Sequence, residues 1–264
     1  MWMAGRYTLM NEKTMSYYRP ADSSALERAL HEAGKPFWFL AGGSFNLREI
    51  PAECDLIDLQ DLGWDDISQD PHSWKLGGLA SLSAVGQALA LWSDFQEALA
   101  IEAGLNVRNS LSMANWLRQA GGRSALLTCL RAFQPQVQLF PGDQLVSLEA
   151  LLKTPGVWQA QVVRAIHFAP VRSFAFESVG RSPRDLPIVC VAAARTERGV
   201  SVSVGGADML LDPFEITDAW DSGLDTIRQV CHGAADAWAS AEYRQDTAAH
   251  LLSRCLQKIQ HSVS

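Results

Sequence analysis

Ala25, Leu26, Ala29, Leu30 and Ala33 recur at intervals of three and four residues, which puts them on one face of a helix. Asp22 or Ser23 stands where such a helix needs its cap, and Gly34 stops it. The pattern then changes. Phe37 to Ala41 is an unbroken apolar run of the buried-strand type, cut by Gly42–Gly43–Ser44, and Cys54 to Leu59 predicts the next strand. Trp74 to Leu79 predicts a strand that ends in glycines, while Ser83–Trp92, Asp94–Ala103 and Asn115–Ala132 read as helical, the last interrupted at Gly121–Gly122. Pro135–Phe140 and Gln161–Phe168 alternate polar and apolar residues with period two, as half-buried strands do, and a short helix is predicted over Leu145–Leu152. Pro170–Pro187, rich in Ser, Arg and Pro, is the expected domain seam. Beyond it come two predicted strands, Ile188–Arg195 and Val200–Val204, joined tightly at Thr196–Gly199, and two closing helices, Ser222–Trp238 and Thr247–Ile259.

Helices and strands that mix without strict alternation predict an α+β fold. The expected layout is a small α/β subdomain over about 15–70, a mixed subdomain over 71–170, and a strand-plus-helix domain over 171–264.

Composition narrows the function. With 48% hydrophobic and 19% charged residues the chain of 264 can bury an ordinary core. Its net charge of −7 gives no electrostatic reason to seek nucleic acid or anionic lipid. No apolar run approaches the roughly 18–20 residues of a membrane span. Met1 to Met15 lacks the apolar block of a signal peptide, so a cytoplasmic protein is expected. The five cysteines (Cys54, Cys129, Cys190, Cys231, Cys255) are far apart and form no CxxC pair, so reduced structural thiols are expected and no metal ligands. The six histidines are equally scattered, and no acid and nucleophile accompany any of them as a triad requires. Asp65, Asp66 and Asp70 lack EF-hand spacing and read as a solvated turn.

The strongest chemical signal is Leu40–Ala41–Gly42–Gly43–Ser44. A buried strand running into two glycines and a hydroxyl residue exposes successive backbone N–H groups without an intervening Cβ, a nest suited to a diphosphate. Taken alone, such a segment is most often a plain strand-to-loop turn.

Order along the chain adds to that signal. Tyr18–Arg19–Pro20, a helix, Leu40 to Ser44, and Leu56–Ile57–Asp58–Leu59 fall in sequence, followed by Leu76–Gly77–Gly78–Leu79–Ala80–Ser81–Leu82 and Val107 to Asn115. Phe176 to Arg181 with Asp185–Leu186, and Ser240–Ala241–Glu242–Tyr243–Arg244 with Leu251 to Leu256, complete the series. Over about Tyr17 to Ile259 this resembles the FAD-binding (medium) subunit of molybdenum hydroxylases, the xanthine and carbon monoxide dehydrogenase flavoproteins.

The resemblance implies a two-subdomain FAD-binding fold of the vanillyl-alcohol-oxidase-like type with a small C-terminal domain. It implies a flavin that accepts electrons from an iron–sulfur cluster on a partner chain, itself reduced by a molybdopterin subunit, and passes them to NAD or another acceptor. No catalytic acid, base or nucleophile and no bound metal is implied for this chain. Carried over residue by residue, Leu40, Ala41, Gly42, Gly43 and Ser44, with Phe45 and Asn46, form the first diphosphate loop. Asn109, Ser112, Met113, Ala114 and Asn115 form the second; Arg123 stands in place of a cofactor-supporting Asp, and Ser178 in place of a Lys near the flavin edge. In the second loop Ala114 stands at the family's first Gly and Asn115 at its second Gly or, with a one-residue gap, its Asn, which places at least one Cβ where backbone meets phosphate. Those departures carry the alternative of a flavin-free structural or assembly subunit. A stand-alone oxidase is disfavoured, since fewer than 100 residues follow Pro170.

Overall fold

The computed structural model describes residues 15–33, 36–42, 53–154, 156, 161–182, 185–217 and 220–261. Among these residues three sheets follow one another along the chain.

The first is parallel. Strand β1 (Tyr17–Tyr18), helix α1 (Ser23–Glu32), β2 (Phe37–Leu40) and β3 (Asp55–Asp58) form a three-stranded sheet ordered β1-β3-β2. The Asp22 carboxylate accepts from Ala25 N at 2.7 Å and caps α1, satisfying an N–H that the first helical turn leaves without a partner. Phe39, Ala41, Ile57 and Leu59 are buried in a core that this sheet shares with the middle region of the chain.

The second sheet is antiparallel, ordered β4-β5-β8-β6-β7, from β4 (Ile67–Gln69), β5 (Trp74–Gly77), β6 (Gln136–Phe140), β7 (Gln144–Ser147) and β8 (Val162–Phe168). Between β5 and β6 run five helices: α2 (Leu82–Ala88), α3 (Ser93–Glu102), α4 (Leu105–Ser110), α5 (Met113–Gln119) and α6 (Ala125–Ala132). The predicted helix over Leu145–Leu152 is half strand: β7 pairs with β6 in a hairpin and only Leu148–Leu152, α7, is helical. The Ser147 hydroxyl caps that helix by accepting from Ala150 N, which moves its start three residues on.

The third sheet, β9 (Ser173–Val179), β10 (Val189–Arg195), β11 (Val200–Gly205) and β12 (Phe214–Ile216), is antiparallel in the order β12-β11-β10-β9. Strand β9 lies inside the stretch expected to be only a seam; the Ser, Arg and Pro around it hid a continuous run of buried residues from Ser173 to Glu177. The chain passes from the second sheet to the third between Phe168 and Ser173.

Strand β10 explains why its sequence is so small. Cys190, Ala192 and Ala194 face one core, shared with the helices of the middle region, while Val189, Val191 and Ala193 face the other. On the first face they stand opposite Gly205, Ser203 and Ser201. Helix α6, buried at every residue, packs on this small-residue face; a Cβ at Gly205 would lie 2.1 Å from Thr128 Oγ1. Helices α8 (Trp220–Val230) and α9 (Ala241–His261) cover the opposite face. The helix predicted over Ser222–Trp238 ends at Val230, and Asp236 beyond it accepts from Trp238 N and Ala239 N in a turn.

Two buried arginines tie the parts together. Arg131 on α6 forms two 2.7 Å bonds to Glu149 and one of 2.8 Å to Leu211 O. Arg244, 1% exposed, donates to Gly206 O at 2.7 Å, to Asp236 at 2.6 Å and to Ile188 O. The segment around Arg244 fixes the last helix: Ser240 Oγ accepts from Tyr243 N and Arg244 anchors α9 to the sheet. All five cysteines are free and buried. Burial pushes the Cys190 thiol up to about 12 and that of Cys231 to about 11, so neither is a thiolate near neutrality.

Candidate cofactor site

Strand β2 runs out at Leu40, whose carbonyl accepts from Leu59 N. Ala41 is buried, and Gly42 takes φ +72°, a left-handed conformation that favours glycine. This is the start of the predicted nest. Gly43, Ser44, Phe45 and Asn46 lie outside the described residues.

Opposite stands the second loop, and here the backbone is fully visible. Helix α4 ends at Ser110, Ser112 makes an isolated antiparallel bridge with Ser81, and α5 begins at Met113. A helix start normally leaves its first N–H groups free to hold an anion. In this chain they are used. Met113 N donates to Ala80 O at 2.9 Å, Ala114 N to Gly78 O at 2.8 Å, and Asn115 N to Ser112 Oγ at 3.2 Å. Gly78 must be glycine for this seat to exist, since a Cβ there would lie 2.0 Å from Val163 O.

The side chains point the same way. Ser112 Oγ donates to Ala41 O, and Asn115 Nδ2 donates to Gly42 O at 3.0 Å. Both residues are almost completely buried, 3% and 6% exposed. The Asn115 carbonyl oxygen accepts from Gln119 Nε2 at 3.1 Å, which fixes the amide with its NH2 toward Gly42. Beside these contacts a cavity of only about 20 Å³ remains, lined by Phe39, Ala41, Ala114, Asn115, Arg118 and Gln161. That is about the space of one water, which needs roughly 10–15 Å³.

Six of the fourteen candidate residues are therefore in one place: Leu40, Ala41, Gly42, Ser112, Ala114 and Asn115. Of the others, Met113 adjoins them but turns its side chain away, Asn109, Arg123 and Ser178 lie apart, and Gly43, Ser44, Phe45 and Asn46 are outside the described residues. Met113 is 1% exposed and packs into the core. Asn109 on α4 accepts from Ser83 Oγ, a tie between α4 and α2. Arg123 turns toward the third sheet: it donates to Leu186 O at 3.2 Å and its guanidinium lies 4.1 Å from the Trp238 ring centre. Ser178 sits on β9 in register with Cys190. Arg118 was not anticipated, although it lies three residues after Asn115 on the same helix; its guanidinium covers Trp38 at 4.2 Å. The carbonyls of Gly78 and Ala80, which consume the helix N–H groups, carry no sequence signal because every residue has one.

Solved structures share this three-sheet fold over nearly the whole chain. A chain of quinoline 2-oxidoreductase from Pseudomonas putida 86 matches with TM-score 0.74 at 16% identity, over 95% of this chain and 98% of that one. A chain of carbon monoxide dehydrogenase from Hydrogenophaga pseudoflava, in a form lacking the Mo-pyranopterin moiety, matches with TM-score 0.72 at 14% identity over 99% of both. Reconstituted CO dehydrogenase from Oligotropha carboxidovorans gives 0.71 at 16% identity, over 94% of this chain and 98% of that one. No protein-family model and no curated sequence matches the chain. At such identities the likeness establishes the fold, and the chemistry rests with the residues of the site.

A flavin dinucleotide needs room and donors for two phosphates. The described half of the cleft offers neither: the N–H groups of Met113, Ala114 and Asn115 are bonded within the chain, and the hydroxyl and amide beside them hold carbonyls of the first loop. As arranged here, the second loop does not fit the diphosphate.

Among the described residues no helix is long and apolar enough to cross a membrane, and no cluster of three or more His, Cys, Asp or Glu is placed to hold a metal.

Proposed function

We propose that this chain is the flavoprotein-type subunit of an oxidoreductase complex of the molybdenum hydroxylase kind. Its partners would be an iron–sulfur chain and a molybdopterin chain, with NAD or another molecule as final acceptor, and its place of work the cytoplasm. The observation that supports this is architectural: 94–99% of the chain follows medium chains of two different enzymes, carbon monoxide dehydrogenase and quinoline 2-oxidoreductase. Isolating the tagged chain from its own cells and measuring iron and molybdenum in what accompanies it tests the assignment. Both metals are expected in fixed ratio to the chain. A chain recovered without either refutes the assignment.

FAD, where such a chain carries it, supplies the redox chemistry, and the protein only binds and orients the cofactor. The second loop favours a second reading, in which this copy holds the same place in the complex as a flavin-free structural or assembly subunit. Flavin released on denaturing the isolated complex separates the two. One flavin per chain supports the electron-transfer role, and none supports the structural one.

A further inference from the structure

We infer that Ser112 and Asn115 form a clasp, which ties the first loop to the second by the chain's own side chains where the fold class would otherwise place a diphosphate. The inference rests on the fold assignment for the location of the cleft, and on the hydrogen bonds themselves for everything else.

Two donors meet two consecutive acceptors. Ser112 Oγ bonds Ala41 O and Asn115 Nδ2 bonds Gly42 O, across 71 and 73 residues of chain. Ser112, Asn115 and Ala41 are buried, so loss of the Ser112 hydroxyl leaves a buried acceptor without its donor, which is costly; Gly42 is exposed, and its bond is held in place by the buried amide of Asn115. Each clasp residue is also held from behind. Ser112 Oγ accepts from Asn115 N at 3.2 Å, and the Asn115 carbonyl oxygen accepts from Gln119 at 3.1 Å. The serine thus donates and accepts at once, and the amide uses both its ends.

The clasp makes sense of the sequence departures. At position 114 a methyl side chain packs beside Phe39 and Ala41 around the 20 Å³ cavity, filling space that a glycine would leave. At position 115 the amide closes the remaining gap by reaching Gly42. Substitutions that look like damage to a phosphate loop are, in this geometry, the parts of a closure. The consequence is a chain whose first and second sheets are joined without help from a cofactor.

Amide hydrogen exchange on the full-length, flavin-free chain tests this. Ser112→Ala and Asn115→Ala should each raise exchange at the Asn115 and Trp116 amides by about tenfold, and the double variant by about a hundredfold. Ser112→Thr keeps the hydroxyl and should exchange as the parent does, which guards against a variant that merely misfolds. Added FAD should leave the parent's exchange unchanged. The inference is overturned if the alanine variants exchange like the parent. It is equally overturned if FAD protects these amides in the parent but not in the variants, because Ser112 and Asn115 are then cofactor ligands. Recovery of iron and molybdenum with the chain is read separately, so failure of the clasp and failure of the subunit assignment are distinguishable.

Discussion

Replacing Gly78 by Ala strikes the point where β5, β8 and the start of α5 meet. The new Cβ would lie 2.0 Å from Val163 O, 2.9 Å from Val163 C and 3.1 Å from Arg164 O. All three are backbone atoms of β8, so no side chain can swing aside. Relief requires β5 to move off β8, which stretches the 2.8 Å bond from Gly78 N to Arg164 O and the 2.8 Å bond from Ala114 N to Gly78 O. Overpacking of this kind costs about 1–3 kcal/mol, and each stretched bond about 0.5–1.5 kcal/mol, for a total near 2–6 kcal/mol. The smaller conformational freedom of alanine in the unfolded chain returns only about 0.4–1 kcal/mol. In a chain of this size that corresponds to a melting temperature lower by roughly 5–20 °C. The control is Gly121→Ala, where a Cβ meets nothing within 4 Å; it should melt with the parent or slightly above. Parallel thermal melts followed by circular dichroism measure both. A Gly78→Ala protein that melts within about 2 °C of the parent would show that the seat of α5 is not the tight junction described, and the account of the second loop would fall with it.

Three further outcomes are expected. Arg244→Leu leaves Asp236 buried without its counter-charge and should cost about 3–5 kcal/mol in urea denaturation; a loss under about 1 kcal/mol would contradict the anchoring role of Arg244. Burial pushes the Asp236 carboxyl up, but bonds from Trp238 N, Arg244 and Asp208 N outweigh it and hold the group below its ordinary 3.8. Its contribution to stability is therefore complete above that value and lost as pH falls through the lower folded value; Asp236→Asn should flatten the decline in melting temperature below about pH 4. With every cysteine buried and the Cys190 and Cys231 thiols pushed up to about 12 and 11, a thiol reagent at neutral pH should label the native chain only as it unfolds. One rapidly labelled cysteine would argue against this packing.

Local pattern carried a large part of the fold. Helix α1 and its Asp22 cap, strands β2, β3, β5, β6, β8, β10 and β11, and the break between α5 and α6 all follow from spacing and from Gly121–Gly122. Such features depend on neighbours within a turn or a strand, and a sequence states them directly. The misreadings share a cause. Strand β7 passed for the beginning of α7 because Leu145 and Val146 suit either structure, and pairing with β6 decided it. Strand β9 was hidden because its burial comes from helices on both faces of a sheet that composition does not show.

At the candidate site the division is sharper. The glycine at the end of β2, the serine and asparagine of the second loop and the order in which they occur are all written in the chain, and the structure brings these residues together. What those groups bond to is not written there. The partners of Ser112 and Asn115, and of the N–H groups at the head of α5, are main-chain carbonyls of Ala41, Gly42, Gly78 and Ala80. Every residue offers such a carbonyl, so only the packing of β2 and β5 against α5 selects these four. Sequence alone determined the fold class and most of the elements, because both rest on periodicity and on order along the chain. The tertiary structure alone decided that the second loop faces its own backbone, because hydrogen bonding across more than 70 residues depends on position in space.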